Sequence, residues 1–303
     1  MTRRRIQLQA YAARFLVRAA GLSPNAQARY RSQLKRHILP QLGRKRLDRI
    51  DTAVAQAFLA QLLATKLAPS SVCSVGRLLL RILSVAGDEG FEAVRIDARR
   101  LLWPRSQTAP CEARSFSQQE VDRILAASSG WPHAVFASLA LAGLRIGEAL
   151  GLDWAHVDFS RSVLDVRQQA SRCRLRRVKS RTSQVVLPMH PRLEVILADY
   201  WRTCGQPPSG LVFGRYGLPR SAEGFARCHL GPLLKRLEIP PGGLHAFRHY
   251  HCTALWAAGV PAETIRRLMR HSSLSMTQRY SHAGENELRR GIVQLASHVS
   301  AAQ

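Results

Sequence analysis

Acidic residues are scarce in this sequence: 20 Asp and Glu stand against 45 Lys and Arg in 303 residues, leaving a formal net charge of +25 and a pI near 11.4. A chain so poor in carboxylates offers no evident acidic cluster for a metal ion, and no metal is expected. Its six cysteines, Cys73, Cys111, Cys173, Cys204, Cys228 and Cys252, include no close pair. That spacing excludes zinc ribbons and redox motifs, and the thiols read as reduced and structural, as in a cytoplasm. No apolar run approaching spanning length is apparent. The basic start Met1-Thr2-Arg3-Arg4-Arg5 is not backed by the uninterrupted apolar core of a signal peptide, because Arg14 and Arg18 break the adjoining stretch. Neither tandem repeats nor low-complexity segments are present.

What is present is an ordinary globular composition, 46% hydrophobic and 7% aromatic, in a chain long enough for two cores. The positive excess is spread along the whole length, which points to a polyanionic partner, nucleic acid, and away from a membrane-surface helix.

The first hundred residues read as a small bundle of about four helices. Ser23-Pro24 suits a cap followed by a first-turn proline, and Tyr30, Leu34 and Ile38 continue that helix until Pro40 is expected to stop it. Asp51 caps a second stretch with an apolar stripe of Val54, Phe58, Leu59, Leu62 and Leu63. Val72, Val75, Leu79, Ile82 and Leu83 form another stripe that ends near Gly87. Trp103-Pro104 opens a proline-rich and polar connection, so a helical domain is expected over 1–104 and a second domain over 112–303. The second domain starts on Ser117-Gln118-Gln119-Glu120, a capping box. Strand patterns follow at 163–167, 172–179 and 184–188, fitting a short antiparallel sheet, and Arg172, Arg174 and Arg176 alternate with Cys173 and Leu175 to give a basic face. Helices resume from Pro191. The fold class is therefore mainly α with a small antiparallel sheet, an all-helical domain followed by an α+β domain.

The chemistry-bearing residues gather in the second half: Gly143-Leu144-Arg145-Ile146-Gly147-Glu148, Lys179, His245-Ala246-Phe247-Arg248, and His271 ahead of Thr277-Gln278-Arg279-Tyr280. Attack on a phosphodiester anion needs cations against the non-bridging oxygens, and planar guanidiniums such as Arg145 and Arg248 supply them bidentately. Glu148 lies three residues beyond Arg145 and can orient it. His245 and Arg248 share a helical face. His249 and His251 fall on different faces with no carboxylate beside them, so a metal site is rejected. Taken singly, Arg145 reads as one more solvated arginine and His271 reads better as a core histidine; the combination and order reverse that reading.

In this combination the chain resembles the tyrosine recombinase (phage integrase) family, whose site comprises an arginine, a hairpin lysine, a His-x-x-Arg helix, a second histidine and a tyrosine shortly after it. The resemblance implies a helical core DNA-binding domain, a catalytic domain, and a catalytic set of Arg145, Lys179, His245, Arg248, His271 and Tyr280. It implies that Tyr280 cleaves DNA to a 3′-phosphotyrosine and a free 5′-hydroxyl, without metal or nucleotide cofactor, on double-stranded DNA with paired sites and as a tetramer. Tyr250 is expected to pack or position. Leu288, Ile292, Val293 and Leu295 suit a tail helix for a neighbouring copy, and no arm-site domain is evident ahead of the helical one. One departure from the family pattern is Arg270, where glycine is common. A topoisomerase-like enzyme and a DNA-binding regulator without catalysis are the competing readings.

Overall fold

The computed structural model describes residues 4–104, 114–177 and 185–271, together with Ser273, Leu274 and Thr277. The chain divides into two compact units, Met1–Cys111 and Glu112–Gln303.

The first unit is helical: α1 (Leu8–Arg18), α2 (Pro24–Gln33), α3 (Leu39–Leu42), α4 (Thr52–Ala64) and α5 (Pro69–Asp88). Its caps are local chemistry. Ser23 Oγ accepts from the Ala26 amide at 3.4 Å, and an Asp51 carboxylate oxygen accepts from the Val54 amide at 2.8 Å, each contact contributing about 1 kcal/mol. Pro40 does not stop its helix. The chain widens into a π-helical turn over Leu34–Ile38 and runs on into α3, a spacing that relieves the proline's lost donor and its clash with the preceding turn. The stripe on α4 is also shifted from expectation, for Ala55 is buried while Leu63 is 39% exposed. All five apolar residues expected on α5 are buried. Contrary to the sequence reading, α5 is long and apolar enough to cross a membrane by length and composition. Its buried face, however, packs into the core with Tyr11, Phe15, Tyr30 and Phe58.

The second unit opens with the expected capping box at α6 (Gln118–Ala126), where Glu120 N donates to Ser117 Oγ and Ser117 N to Glu120 Oε2. Next come α7 (Gly130–Leu141) and α8 (Ile146–Leu150), then β1 (Val157–Asp158), β2 (Val163–Val166), β3 (Gln168–Ser171), β4 (Arg174–Arg177) and β5 (Val185–Pro188). Two antiparallel sheets form in place of one: β1-β2-β5, and a hairpin of β3 with β4. The expected strand 172–179 begins late because Arg172 and Cys173 make the hairpin turn, with φ of +51° and +56°. Two consecutive positive φ angles match the right-handed twist of the strands they join. Leu175 is 43% exposed, so the hairpin has no buried apolar face there.

The remaining elements are α9 (Pro191–Thr203), α10 (Ala222–Phe225), α11 (Gly231–Arg236), α12 (His245–Ala257) and α13 (Ala262–Leu268). Phe116, Phe136, Phe225 and Phe247 sit at the centre of this unit's core, with ring centroids 4.7–5.4 Å apart along the chain of contacts. Burial of α7 and α12 in that core fixes the helix that leads into the turn before α8 and the helix that carries His245 and Arg248.

Candidate active site

Arg145 projects from a turn that only glycine chemistry allows. Gly143, just after α7, has φ of +57°, and a Cβ there would lie 2.5 Å from the His251 ring. The chain leaves that turn with Arg145 as the N-cap of α8, in extended conformation, not as a residue inside the helix. Glu148 folds back on it: Arg145 N donates to Oε2 at 2.9 Å and Nη1 to Oε1 at 2.7 Å. The orienting role expected of Glu148 is thus met, through a helix start instead of a shared helical face. Gly147 and Gly151 let α8 press onto β3, where an added Cβ would come within 2.8 Å of Ala170 O and of Gln169 Cα respectively. The β3–β4 hairpin is thereby seated directly against the helix that Arg145 begins.

His245 and Arg248 occupy the first turn of α12. Arg248 is 2% exposed, and its two Nη groups donate to the carbonyls of Gly143 and Met269. One guanidinium therefore ties the turn before α8 to the end of α13. His251 Nδ1 contacts Ala140 O at 2.9 Å, and the rings of His245 and His249 meet edge to face with centroids 4.7 Å apart.

The third contribution comes from the end of α13. The Arg270 carbonyl accepts from Arg145 Nη2 at 3.0 Å, His271 N donates to Arg266 O, and His271 Nδ1 lies 2.9 Å from Thr277 Oγ1. Arg270 itself turns inward, its Nη2 donating to Glu148 Oε2 at 2.7 Å. Burial pushes the Glu148 carboxyl up, but the Arg270 and Arg145 guanidiniums, with the hydrogen bonds they make, hold it net below the usual carboxylate range. His245 and His271 are each pulled down to about 4 by burial first and then by neighbouring cations, including Arg248 and Arg145 for both. At neutral pH both are uncharged imidazoles in a field set by guanidiniums.

Arg145, His245, Arg248 and His271 are thus brought into one site from α8, α12 and the end of α13. Lys179, two residues beyond β4, and Tyr280 lie outside the described residues, as does the tail from Leu288 to Leu295. Tyr250 packs in the core with its hydroxyl donating to Gln118 Oε1. Among the described residues no group of three or more His, Cys, Asp and Glu gathers as metal ligands. Sequence reasoning missed the depth of Arg270, the carbonyls of Gly143 and Met269, and the contact of Thr277 with His271. The one available signal was Arg270 itself, an arginine where the family commonly has glycine, and the structure gives that position a φ of +52°.

The sequence and the fold both have counterparts among known proteins. Residues 114–287 match the model of the phage integrase family, and residues 17–63 that of the phage integrase N-terminal SAM-like domain. The chain is 26% identical over 246 residues to a XerC-like tyrosine recombinase of Caldanaerobacter subterraneus subsp. tengcongensis, covering 70% of this chain and 62% of that protein. It is 30% identical over 212 residues to the tyrosine recombinase XerC of a Mycobacterium species, covering 63% and 65%. It therefore spans less than two thirds of either relative. The Tn1549 transposon integrase, solved with transposon right end DNA, superposes with a TM-score of 0.82 at 19% identity over 96% of this chain and 100% of that chain. A lambda integrase dimer bound to a COC′ core site gives 0.66 at 17% identity over 91% and 77%. At such identities the likeness concerns the fold, whereas the family model matches more than half of the sequence, and the chain belongs to the phage integrase family of tyrosine recombinases.

Proposed function

We propose that this protein is a site-specific DNA recombinase that breaks and rejoins strands through a covalent phosphotyrosine on Tyr280. The observation that carries the reading is the meeting of Arg145, Arg248, His245 and His271 around one carboxylate-braced turn. Two guanidiniums there suit the charge that develops on the non-bridging oxygens of a phosphodiester. In the first step Tyr280 Oη attacks phosphorus and the bond to the 5′-oxygen breaks. Lys179 gives its proton to that oxygen, and the phenol proton passes to a neutral imidazole, His245 or His271. The product is a 3′-phosphotyrosyl strand and a free 5′-hydroxyl. The hydroxyl of a partner strand then attacks the phosphotyrosine and releases Tyr280; because the energy of the ester bond is kept in the covalent intermediate no nucleotide is required, and Arg145 and Arg248 take the charge-neutralising part that a metal would otherwise play.

Paired duplexes call for several protomers, and a lambda integrase tetramer has been solved on a Holliday junction. By analogy this chain is assigned double-stranded DNA with paired sites, a tetramer on that DNA, and a cytoplasmic location. The experiment starts from duplexes selected by the full chain out of a randomised library, with a nick placed so that the cleaved end is lost. The wild type is expected to form a DNA adduct that survives denaturing electrophoresis, whereas Tyr280→Phe binds the same duplex and forms none. An adduct with the phenylalanine variant would overturn the assignment of Tyr280. Arg145→Ala should bind nearly as well and cleave at least about a hundredfold more slowly.

A further inference from the structure

Arg270 takes on two costs that glycine would avoid. Its φ of +52° lies in the left-handed region, where Cβ crowds the following carbonyl. Its side chain has zero exposure, although arginine is among the residues least often buried. What it touches accounts for it. Nη2 donates to Glu148 Oε2 at 2.7 Å and to Gly143 O at 3.1 Å, and Nη1 donates to Leu268 O at 2.7 Å. The remaining nitrogen, Nε, is buried with no hydrogen-bond partner. Glu148 accordingly serves two guanidiniums, Arg145 through Oε1 and Arg270 through Oε2.

The charges then decide the consequence. Arg145 and Glu148 alone sum to zero, so the carboxylate that orients Arg145 would also cancel the charge offered to a phosphate. With Arg270 the trio carries one net positive charge around a carboxylate that is itself shielded from water, where Coulomb interactions are weakly screened. Resting on the phosphodiester chemistry proposed above, we infer that Arg270 is a positioning residue that shares Glu148, so that Arg145 is held by the carboxylate without being neutralised by it. Arg270 acts through Arg145, whose side chain is 35% exposed, and not by touching DNA. Its carbonyl also holds Arg145 Nη2, but any residue supplies that contact, which separates the side chain's part from the main chain's.

Three variants make the test. Arg270→Gly keeps the carbonyl and relieves the backbone, Arg270→Met keeps most of the volume without charge, and Arg270→Lys keeps the charge. In single-turnover adduct formation on the nicked duplex, Gly and Met are expected to cleave about tenfold more slowly with DNA affinity within about twofold, and Lys to recover part of the rate. Met cleaving like the wild type, or Lys no better than Met, overturns the inference in favour of a filler role; this pair decides even if the glycine variant does not fold. A second measurement needs no DNA. His271 feels Arg270 among its neighbouring cations, so its NMR titration should move upward in Arg270→Met and stay near the wild-type position in Arg270→Lys. A wild type that forms no adduct while His271 responds in this way removes the proposed function and leaves the charge arrangement standing. Identical His271 titrations in all variants remove the inference whatever the DNA shows.

Discussion

Glu148 is the residue on which the site turns, because at 2% exposure it is a buried carboxylate whose partners are the arginines and the amide it braces. Removing one member of a buried ion group leaves the others uncompensated, and Arg270 has no path to water in its present position. Glu148→Ala is therefore expected to cost about 3–5 kcal/mol of stability, read by urea unfolding. Glu148→Gln, which keeps acceptor and shape, should cost less. A loss under about 1 kcal/mol for the alanine variant would mean that the trio is not a closed network. Lys179 poses a chemical question: an alkoxide is a poor leaving group, so the 5′-oxygen needs a proton as it departs. When that bridging oxygen is replaced by sulfur, the thiolate leaves unprotonated. Lys179→Ala should then regain most of its lost cleavage rate, while Arg145→Ala gains little, because its defect concerns the phosphoryl oxygens. Equal slowness of Lys179→Ala on both substrates would make Lys179 a DNA contact and move the donor role to His245.

The element with the most to lose on acidification is α12, which carries His245 and His251, each held at about 4 by burial. A histidine with a lowered folded value binds its proton more readily when unfolded, so stability rises with pH between the two values. Between pH 6.5 and 4 the unfolded chain takes up protons that the folded chain refuses, and the fold weakens as pH falls through that window. Glu148 adds to the loss at lower pH, since its folded value lies below the ordinary carboxylate range. The melting temperature is expected to be level above about pH 7 and to decline below it, with up to about 3 kcal/mol attributable to a histidine as buried as His251. His251→Gln keeps a donor for Ala140 O and should flatten part of that decline; an unchanged pH profile would show that His251 is not among the groups responsible. The same element also marks the reach of sequence reading. Ser23, Asp51 and Ser117 were legible as caps because a side chain there meets a backbone amide three residues on, whereas the His-x-x-Arg spacing of α12 gained its meaning only in combination with the other residues of the family pattern. Pro40 misled because a π turn absorbed it, and Arg172-Cys173 misled because neither residue advertises a positive φ. Arg270 carried a visible oddity, but its partner Glu148 lies 122 positions away in sequence, and only the fold joins them.

At the scale of the whole molecule the dominant fact is charge, and it is not confined to the site. The unit Met1–Cys111 carries 20 Lys and Arg against 6 Asp and Glu, net +14, and Glu112–Gln303 carries 25 against 14, net +11. Each unit is basic enough to engage a phosphate backbone in its own right, and Arg145 is one of 45 Lys and Arg that make up this charge. Binding and cleavage should therefore depend on different arginines. Neutralising several phosphates releases their counterions, so the logarithm of affinity is expected to fall linearly with the logarithm of salt, with a slope of about −5 or steeper if six or more phosphates are contacted. For the full chain that slope predicts a loss of about three orders of magnitude between roughly 50 and 200 mM salt. Arg145→Ala removes at most one phosphate contact, so its slope should differ from the wild type by no more than about one unit while its cleavage rate collapses. Measuring affinity by fluorescence anisotropy across that salt range, for wild type and variant on one duplex, checks both statements together. A shallow slope for the wild type would deny the distributed phosphate contacts that the composition implies, and a large change of slope in Arg145→Ala would mean that Arg145 is a principal anchor.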